Sequence, residues 1–404
     1  MRIHTVFSSS FVVTLITGSL ALMACGDDTC STACGSGGAT TTSQGGGTTH
    51  TGGGTQTGGG GSGVGGSGGG TSTEWVVPTC ATITGTAAVT FTSDEGATLT
   101  PSTGTLTGVG YTGLAALDTP NTLLAEHKGD LLESTDAGCT WTKVGSLEGG
   151  IFKLTAAKGG RAYAWADNGE AFYRIDDGVP TALTTPAANV VGIGVDPADG
   201  LHLRIGDASG ALSDSIDGGV TWTKQGTPAA DGGTIGYRFA FDPLDLDHVL
   251  FGQSTDGASV TFDGGDTWEP SSGVGAANAN AFSIAVSPAD SNLVWLEAIE
   301  LGPDQRHIYR STDGGLTFTS VVDQSADVTL INGNLLAPHP TNPDVLYFVF
   351  GTSFQGYGTD IYRYDQTTKM VTKTHNNHHD VSAIVTSPAD PSVQYFGLVV
   401  ENIN

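Results

Sequence analysis

Ser134-Thr135-Asp136-Ala137-Gly138-Cys139-Thr140-Trp141 returns three times along the chain, as Ser215-Ile216-Asp217-Gly218-Gly219-Val220-Thr221-Trp222, Thr261-Phe262-Asp263-Gly264-Gly265-Asp266-Thr267-Trp268 and Ser311-Thr312-Asp313-Gly314-Gly315-Leu316-Thr317-Phe318. The shared pattern is Ser/Thr-x-Asp-x-Gly-x-Thr-aromatic, and self-similarity at a near-constant interval is the signature of a repeat architecture. The residue types supply the reason. An Asp carboxylate can accept N–H bonds within its own turn, Gly takes the positive φ, Thr closes the turn and the aromatic ring packs beneath it. Such a box is a folding staple, so its aspartate is read as structural rather than catalytic.

Weaker copies fill the gaps. Thr92-Ser93-Asp94-Glu95-Gly96-Ala97-Thr98-Leu99 lacks only the aromatic, Asp176 keeps Gly178 beside it, and Asp365 follows Tyr362-Arg363-Tyr364. The box aspartates are then Asp94, Asp136, Asp176, Asp217, Asp263, Asp313 and Asp365, at spacings of 42, 40, 41, 46, 50 and 52. A second landmark lies upstream of the later boxes: an alternating strand runs into Asp196-Pro197, Asp242-Pro243, Ser287-Pro288, Ala337-Pro338 or Ser387-Pro388, followed by an apolar strand such as Val249-Leu250-Phe251. Each unit reads strand, Pro turn, strand, loop, strand, box turn, strand. Four antiparallel strands in 40 to 52 residues is a β-propeller blade. The expected fold is all-β, a seven-bladed β-propeller closed by strands from both termini, because Val381–Asn404 holds only two strands and the Asp94 box has only two ahead of it. Joining the incomplete halves leaves no open sheet edge.

The N-terminal part reads differently. Met1-Arg2 and an apolar stretch from Val6 to Leu22 end in Leu22-Met23-Ala24-Cys25, a signal peptide over 1–24. Cys25 directly after Ala24 resembles the bacterial lipobox, which implies lipidation of Cys25; Gly26 in place of the aspartate that retains such proteins at the inner membrane implies the outer membrane or cell surface. A lipid holds a protein on a membrane without spanning it, and no later apolar stretch is long enough to span. Residues 25–79 are expected to be a disordered tether. Residues 26–74 carry 20 of the 61 glycines, and no charge falls between Asp28 and Glu74. About 45 residues of such coil reach about 35–40 Å. With Cys25 lipidated, four cysteines remain in an exported chain and three connectivities are open; position favours Cys30 with Cys34 in the tether and Cys80 with Cys139 in the folded part. The propeller is assigned to 80–404.

Of the 404 residues, 41 are Asp or Glu and 15 Lys or Arg, a formal charge of −26. That balance repels phosphate backbones and argues against nucleic acid.

The boxes and Pro-turn strands resemble those of the aspartate-box (BNR) propellers, which include sialidases, xyloglucan-degrading glycosidases, sortilin-type receptors and photosystem II assembly factors. The resemblance covers 84–404 and implies the fold; because members are hydrolases, receptors and chaperones, it implies no one function. The catalytic patterns of the hydrolases are not matched. The sialidase Arg-Ile-Pro strand has only Arg174-Ile175-Asp176 and Arg204-Ile205-Gly206 as counterparts, and the xyloglucanase Thr-Asp-Val-Gly-Gly run only Ser254-Thr255-Asp256-Gly257-Ala258.

Loops alternate between the faces of a propeller, so the face opposite the boxes should carry the second loops and the blade-to-blade crossings. It would present Glu126, His127, Asp130, Asp167, Glu170, Asp207, Asp256, Glu297, Arg306 and His307, and the crossing from His375 through His378 and His379 to Asp380. Glycoside hydrolysis needs two facing carboxylates, one raised in pKa; Asp256, Glu126 and Asp130 are the candidates. The His-rich crossing has ligand types that suit zinc, but its spacing fits no zinc motif, so it reads as a solvated polar loop and no cofactor is expected, calcium or another divalent cation being the alternative. Trp141, Trp222 and Trp268 of the boxes, with Trp165 and Trp295, read as core. The leading function is a surface-tethered non-catalytic binding or assembly module, monomeric, for an envelope protein or extracellular glycan. The alternative is an extracellular glycoside hydrolase acting on polysaccharide through paired carboxylates.

Overall fold

The computed structural model describes residues 74–104, 110–166, 171–230, 234–275, 278–351, 358–376 and 380–399. Cys25, Cys30 and Cys34 lie outside them, as do Asp167, Glu170, His378 and His379. Among the described residues there are strands and turns and no helix, and the strands form seven antiparallel sheets.

The first strand, β1 (Val89–Thr92), belongs to the last blade. Blade 1 follows as β2 (Thr112–Ala116), β3 (Leu123–His127), β4 (Asp130–Ser134) and β5 (Thr142–Ser146). Blade 2 is β6 (Phe152–Ala157), β7 (Arg161–Ala166), β8 (Phe172–Asp176) and β9 (Val179–Leu183), and blade 3 is β10 (Val190–Val195), β11 (Leu203–Asp207), β12 (Leu212–Ser215) and β13 (Thr223–Gln225). Blade 4 runs from β14 (Gly236–Phe241) through β15 (Val249–Gln253) and β16 (Gly257–Thr261) to β17 (Glu269–Pro270). Blade 5 comprises β18 (Ala279–Ser287), β19 (Asp290–Glu300), β20 (Gln305–Ser311) and β21 (Thr319–Asp323); blade 6 comprises β22 (Leu336–Pro338), β23 (Val345–Gly351), β24 (Thr359–Asp365) and β25 (Met370–Asn376). Blade 7 joins β26 (Asp380–Thr386) and β27 (Gln394–Val399) to β1.

The pairing of β1 with β27 sets Val89 opposite Gly397 and Thr92 opposite Gln394, so strands from both ends of the chain share a sheet. Residue 100 flanks the outer side of β1, its N–H donating to Phe91 O at 2.8 Å. First strands of successive blades touch from β2 through β22, β23 touches β26, and β2 touches β26, which brings the last blade against the first.

The core is divided. Seven separate apolar clusters each fill one seam between neighbouring blades: Leu124, Phe152 and Ala164 between blades 1 and 2, Phe239, Val249 and Phe251 between blades 3 and 4, Phe91, Leu114 and Tyr395 between blades 7 and 1. A blade therefore buries both faces, and its second strands read as continuous apolar runs rather than alternating ones. Small residues set the seam spacing: a Cβ at Gly206 would stand 2.0 Å from the Phe239 ring. Cationic latches cross some seams on the box side. Arg204 Nη1 donates to Leu246 O at 3.0 Å, and Arg310 Nη2 pairs with Asp344 at 3.0 Å. Arg363 Nε pairs with Glu95, tying the chain's first box to blade 6.

The boxes sit between the third and fourth strands, and in five the same network recurs. Asp136 Oδ1 accepts the Thr140 N–H at 2.8 Å and the Ser134 hydroxyl at 2.9 Å, while Oδ2 accepts the Thr140 hydroxyl at 2.7 Å. Asp94, Asp217, Asp263 and Asp313 do the same with their own neighbours. These bonds hold the Asp136 carboxyl below its usual range against the opposing effect of burial. Ala137 and Gly138 both take positive φ, at 57° and 93°. Asp176 and Asp365 depart from this network. The residue four places on is Pro180 or Lys369 rather than Thr; Asp176 instead accepts from Arg161 and Arg174, at 2.5 and 2.8 Å, and Asp365 caps a shorter turn through the Thr368 N–H at 3.0 Å and the Thr368 hydroxyl at 3.3 Å. Trp141 is buried, whereas Trp222 and Trp268 are only half-buried.

Residues 74–84 form a strap over the box side of blade 1. Trp75 Nε1 donates to Leu117 O at 3.1 Å, Val76 N–H to Asn121 Oδ1 at 2.7 Å and Thr84 N–H to Cys139 O at 3.0 Å. Cys80 and Cys139 are joined by a disulfide that fastens the strap to the first full box.

Candidate functional site

The first strand of every blade starts at the face opposite the boxes and lines the axis, so the residues that open these strands converge on one space. A central channel of about 620 Å³ is bounded there by Tyr111, Lys153, Trp165, Tyr237, Arg238, Phe282 and Asp380, among others. Its mouth is apolar, with Tyr111 and Ile151 about half exposed. The Tyr237 and Phe282 rings pack at 4.4 Å between centroids. Phe282 reaches the channel because it is the extra residue of a bulge: register shifts between Ala281 and Ser283, so Phe282 escapes the seam its neighbours face.

Trp165 belongs to both core and channel. It packs with Tyr163, Phe172 and Leu203 in the seam between blades 2 and 3, and its ring also faces two cations. Lys153 Nζ lies 5.0 Å from the ring centroid and Arg238 Cζ 5.9 Å, within cation–π range. Lys153 stands directly opposite Trp165 in the β6–β7 pairing, but Arg238 comes from blade 4. Blade 3 admits this approach because its inner strand is thinned by glycine: a Cβ at Gly192 would meet Phe239 O at 2.3 Å.

The acids form a different arrangement. Glu126 is buried in the seam between blades 1 and 2; its Oε1 accepts Gly129 N–H at 2.6 Å, and its Oε2 has no hydrogen-bond partner among the described residues. Burial pushes its carboxyl up to about 7. Glu297 occupies the seam between blades 5 and 6, fully buried, with Oε2 accepting Gly333 N–H at 3.0 Å and Oε1 unpartnered among the described residues. Burial pushes it to about 8. A carboxyl taken from water without a compensating cation keeps its proton. Asp380, in the channel wall, is also raised by burial, although Val381 N–H donates to it at 2.8 Å.

The other sequence-derived candidates are spread around the rim and are mostly engaged. His127 Nδ1 contacts Thr112 Oγ1 at 2.9 Å, and burial, then Lys128, lowers its pKa. Asp130 is exposed and pairs with Lys143. Asp207 caps its own turn through Ser209 N–H at 2.8 Å. Asp256 is exposed in the β15–β16 turn. Arg306 Nε donates to Asn332 Oδ1 at 2.8 Å, His307 Nδ1 pairs with Asp323 at 2.7 Å, and His375 Nδ1 pairs with the buried Asp360 at 2.7 Å. Thus Glu126 and Asp130 share the β3–β4 hairpin of blade 1, where the Asp130 charge adds to the effect of burial on Glu126, while Asp256 and Glu297 lie apart in blades 4 and 5, and no group of three metal-ligating side chains assembles among the described residues. Sequence reading missed Lys153, Tyr237, Arg238 and Phe282, since it looked to loops and crossings for the ligand face. The available signal was a cation in each of two otherwise apolar first strands, Phe152-Lys153-Leu154 and Tyr237-Arg238-Phe239.

No protein-family model matches the chain. The dispase autolysis-inducing protein of Streptomyces mobaraensis is 53% identical over 296 residues, 71% of this chain and 79% of that protein. Among solved structures, YCF48 from Cyanidioschyzon merolae superposes with a TM-score of 0.51 at 13% identity, covering 73% of this chain and 97% of that one. An ancestral GH74 enzyme superposes with a TM-score of 0.50 at 15% identity; the match covers 74% of this chain but only 41% of the enzyme. At such identities the superpositions speak for the seven-bladed fold alone.

Proposed function

The chain belongs to the same family as the dispase autolysis-inducing protein, and from that premise we propose that it is a non-catalytic binding module for a protein partner of the protease class, held at the cell surface by a lipid on Cys25. One observation carries the non-catalytic part. The two acids whose pKa values would suit catalysis, Glu126 and Glu297, are sealed in separate seams, each held by a backbone N–H, while Asp130 and Asp256 are exposed on the rim. Glycoside hydrolysis demands two carboxyl groups facing one bond across a gap of about 5–10 Å; raised acids each sealed from solvent, in different seams, do not supply that. The boxes, strap and seams brace the seven blades against one another. The relative's name concerns a protein that cleaves itself, so the partner proposed for this chain is a protease whose self-cleavage is promoted by being bound.

The test is to incubate dispase with the wild type and with the double variant Glu126→Gln/Glu297→Gln, and to follow intact dispase on gels. Equal acceleration of dispase loss by both supports the reading; acceleration by the wild type alone overturns the non-catalytic part, and acceleration by neither overturns the partner. The hydrolase alternative rests on two acids titrating near neutrality; it requires release of reducing ends from a polysaccharide that disappears in Glu297→Gln.

A further inference from the structure

We propose that Asn332-Gly333 is a site of self-catalysed deamidation, in which Glu297 takes the proton of the attacking Gly333 nitrogen and Arg306 holds the oxygen of the Asn332 amide. The chemistry is internal to the chain and does not depend on any partner. Asn332 and Gly333 are the two exposed central residues of a turn, and Gly333 takes a φ of 84°. The turn is pinned: Ile331 N–H donates to Asn334 Oδ1 at 2.6 Å, and the buried Asn334 donates through Nδ2 to Val349 O at 2.8 Å. On that fixed turn Gly333 N–H donates to Glu297 Oε2 at 3.0 Å, while Asn332 Oδ1 accepts from Arg306 Nε at 2.8 Å. The acid sealed from outside substrates thus touches one internal amide, and its other oxygen, Oε1, is buried with no partner among the described residues. Burial opposes ionisation of Glu297 and the nearby Arg306 charge favours it, so the three groups act on one another.

An asparagine before glycine deamidates when the next backbone nitrogen attacks the side-chain amide carbon, and glycine has no Cβ to crowd that approach. The Gly333 nitrogen forms a bond to Asn332 Cγ and its proton passes to ionised Glu297 Oε2. The electron pair of the Cγ–Oδ1 double bond moves onto Oδ1, where the Arg306 guanidinium stabilises it. Collapse restores that double bond and breaks Cγ–Nδ2, and the nitrogen leaves as ammonia with the proton returned by Glu297. Water then opens the cyclic imide at either carbonyl, leaving aspartate or isoaspartate at position 332. A general base works best with a pKa near the operating pH, and burial pushes that of Glu297 up to about 8. The Asp-Gly pairs of the boxes are arranged in the opposite way. Asp217, Asp263 and Asp313 hold their carboxyl oxygens on Thr221, Thr267 and Thr317. The glycine N–H groups that follow donate to Leu201 O at 2.8 Å and to Asp247 O and Asn292 O at 2.9 Å, so each nitrogen is given to a neutral acceptor. Ile331, Gly333 and Asn334 line the central channel. The reaction therefore adds a negative charge beside Arg306 and, as isoaspartate, an extra backbone methylene to the channel wall.

Peptide mapping by mass spectrometry of the mature protein, incubated from pH 6 to pH 10, tests this against the capped peptide Leu-Ile-Asn-Gly-Asn-Leu, which reproduces residues 330–335. At pH 8 the folded protein should convert Asn332 faster than the peptide does. Its rate should level off once Glu297, at about 8, is ionised, whereas the peptide's rate climbs in proportion to hydroxide. Glu297→Gln should slow conversion about tenfold or more and abolish the levelling. Arg306→Met should also slow it and move the levelling to higher pH, since the lost charge favours the carboxylate; this part-exposed position serves if Glu297→Gln does not fold. A folded protein slower than the peptide, or a rate in folded Glu297→Gln equal to that of the wild type, would overturn the inference. Conversion in the wild type that follows hydroxide all the way to pH 10 would overturn it as well.

Discussion

Replacing Glu297 by Gln should flatten the pH–stability profile of the protein between pH 5 and 7. An ordinary glutamate releases its proton near 4.5, whereas burial holds that of Glu297 to about 8. Between these values the native state binds more protons than the unfolded chain, so stability falls as pH rises, and the fall ends only when Glu297 ionises in the folded protein. Each pH unit in that window costs up to about 1.4 kcal/mol, which over two units is about 2–3 kcal/mol. Gln keeps the shape and can still accept Gly333 N–H but does not titrate. The wild type should therefore lose about 2–3 kcal/mol more than the variant from pH 5 to 7, while the parallel contribution of Glu126, raised to about 7, remains in both. A divided core need not unfold in one step, so the assay is native-state hydrogen exchange of β19 and β23 amides, which flank the Glu297 seam, with urea midpoints alongside. Parallel pH profiles for the two proteins would refute the assignment of a buried, protonated Glu297.

Asp136→Ala removes acceptors for Thr140 N–H and for two hydroxyls, and should cost about 1–2 kcal/mol, read as a lower thermal midpoint. Reducing the Cys80–Cys139 disulfide, which closes a separation of 59 residues, should cost about 4 kcal/mol on the loop-entropy relation and expose the strap first, seen as early proteolysis near Trp75. Arg363→Met breaks the pair with Glu95; because both groups are part-exposed the cost should stay near or below about 1 kcal/mol, and faster exchange of β1 amides is the specific sign.

Most of the fold was legible because its staples are local. Each box needs a carboxylate, a hydroxyl and a glycine within eight residues, and chemistry packed that closely survives in a sequence. The two weakest copies, at Asp176 and Asp365, mark the right places but form other turns, since the Thr four positions on is absent. The channel was less legible because its chemistry is non-local. Nothing near Arg238 indicates an indole 73 positions upstream in sequence, on a blade two away, and the bulge that turns Phe282 to the axis leaves no compositional trace. Glu126 and Glu297 were picked out as rim acids, yet their burial depends on crossings from the next blade that no local pattern reveals.

The most direct measurement is sedimentation of the mature protein with inhibited dispase over a range of ratios. A saturable complex, formed equally by Glu126→Gln/Glu297→Gln, is the expected result. Two species sedimenting independently at every ratio would contradict a binding role.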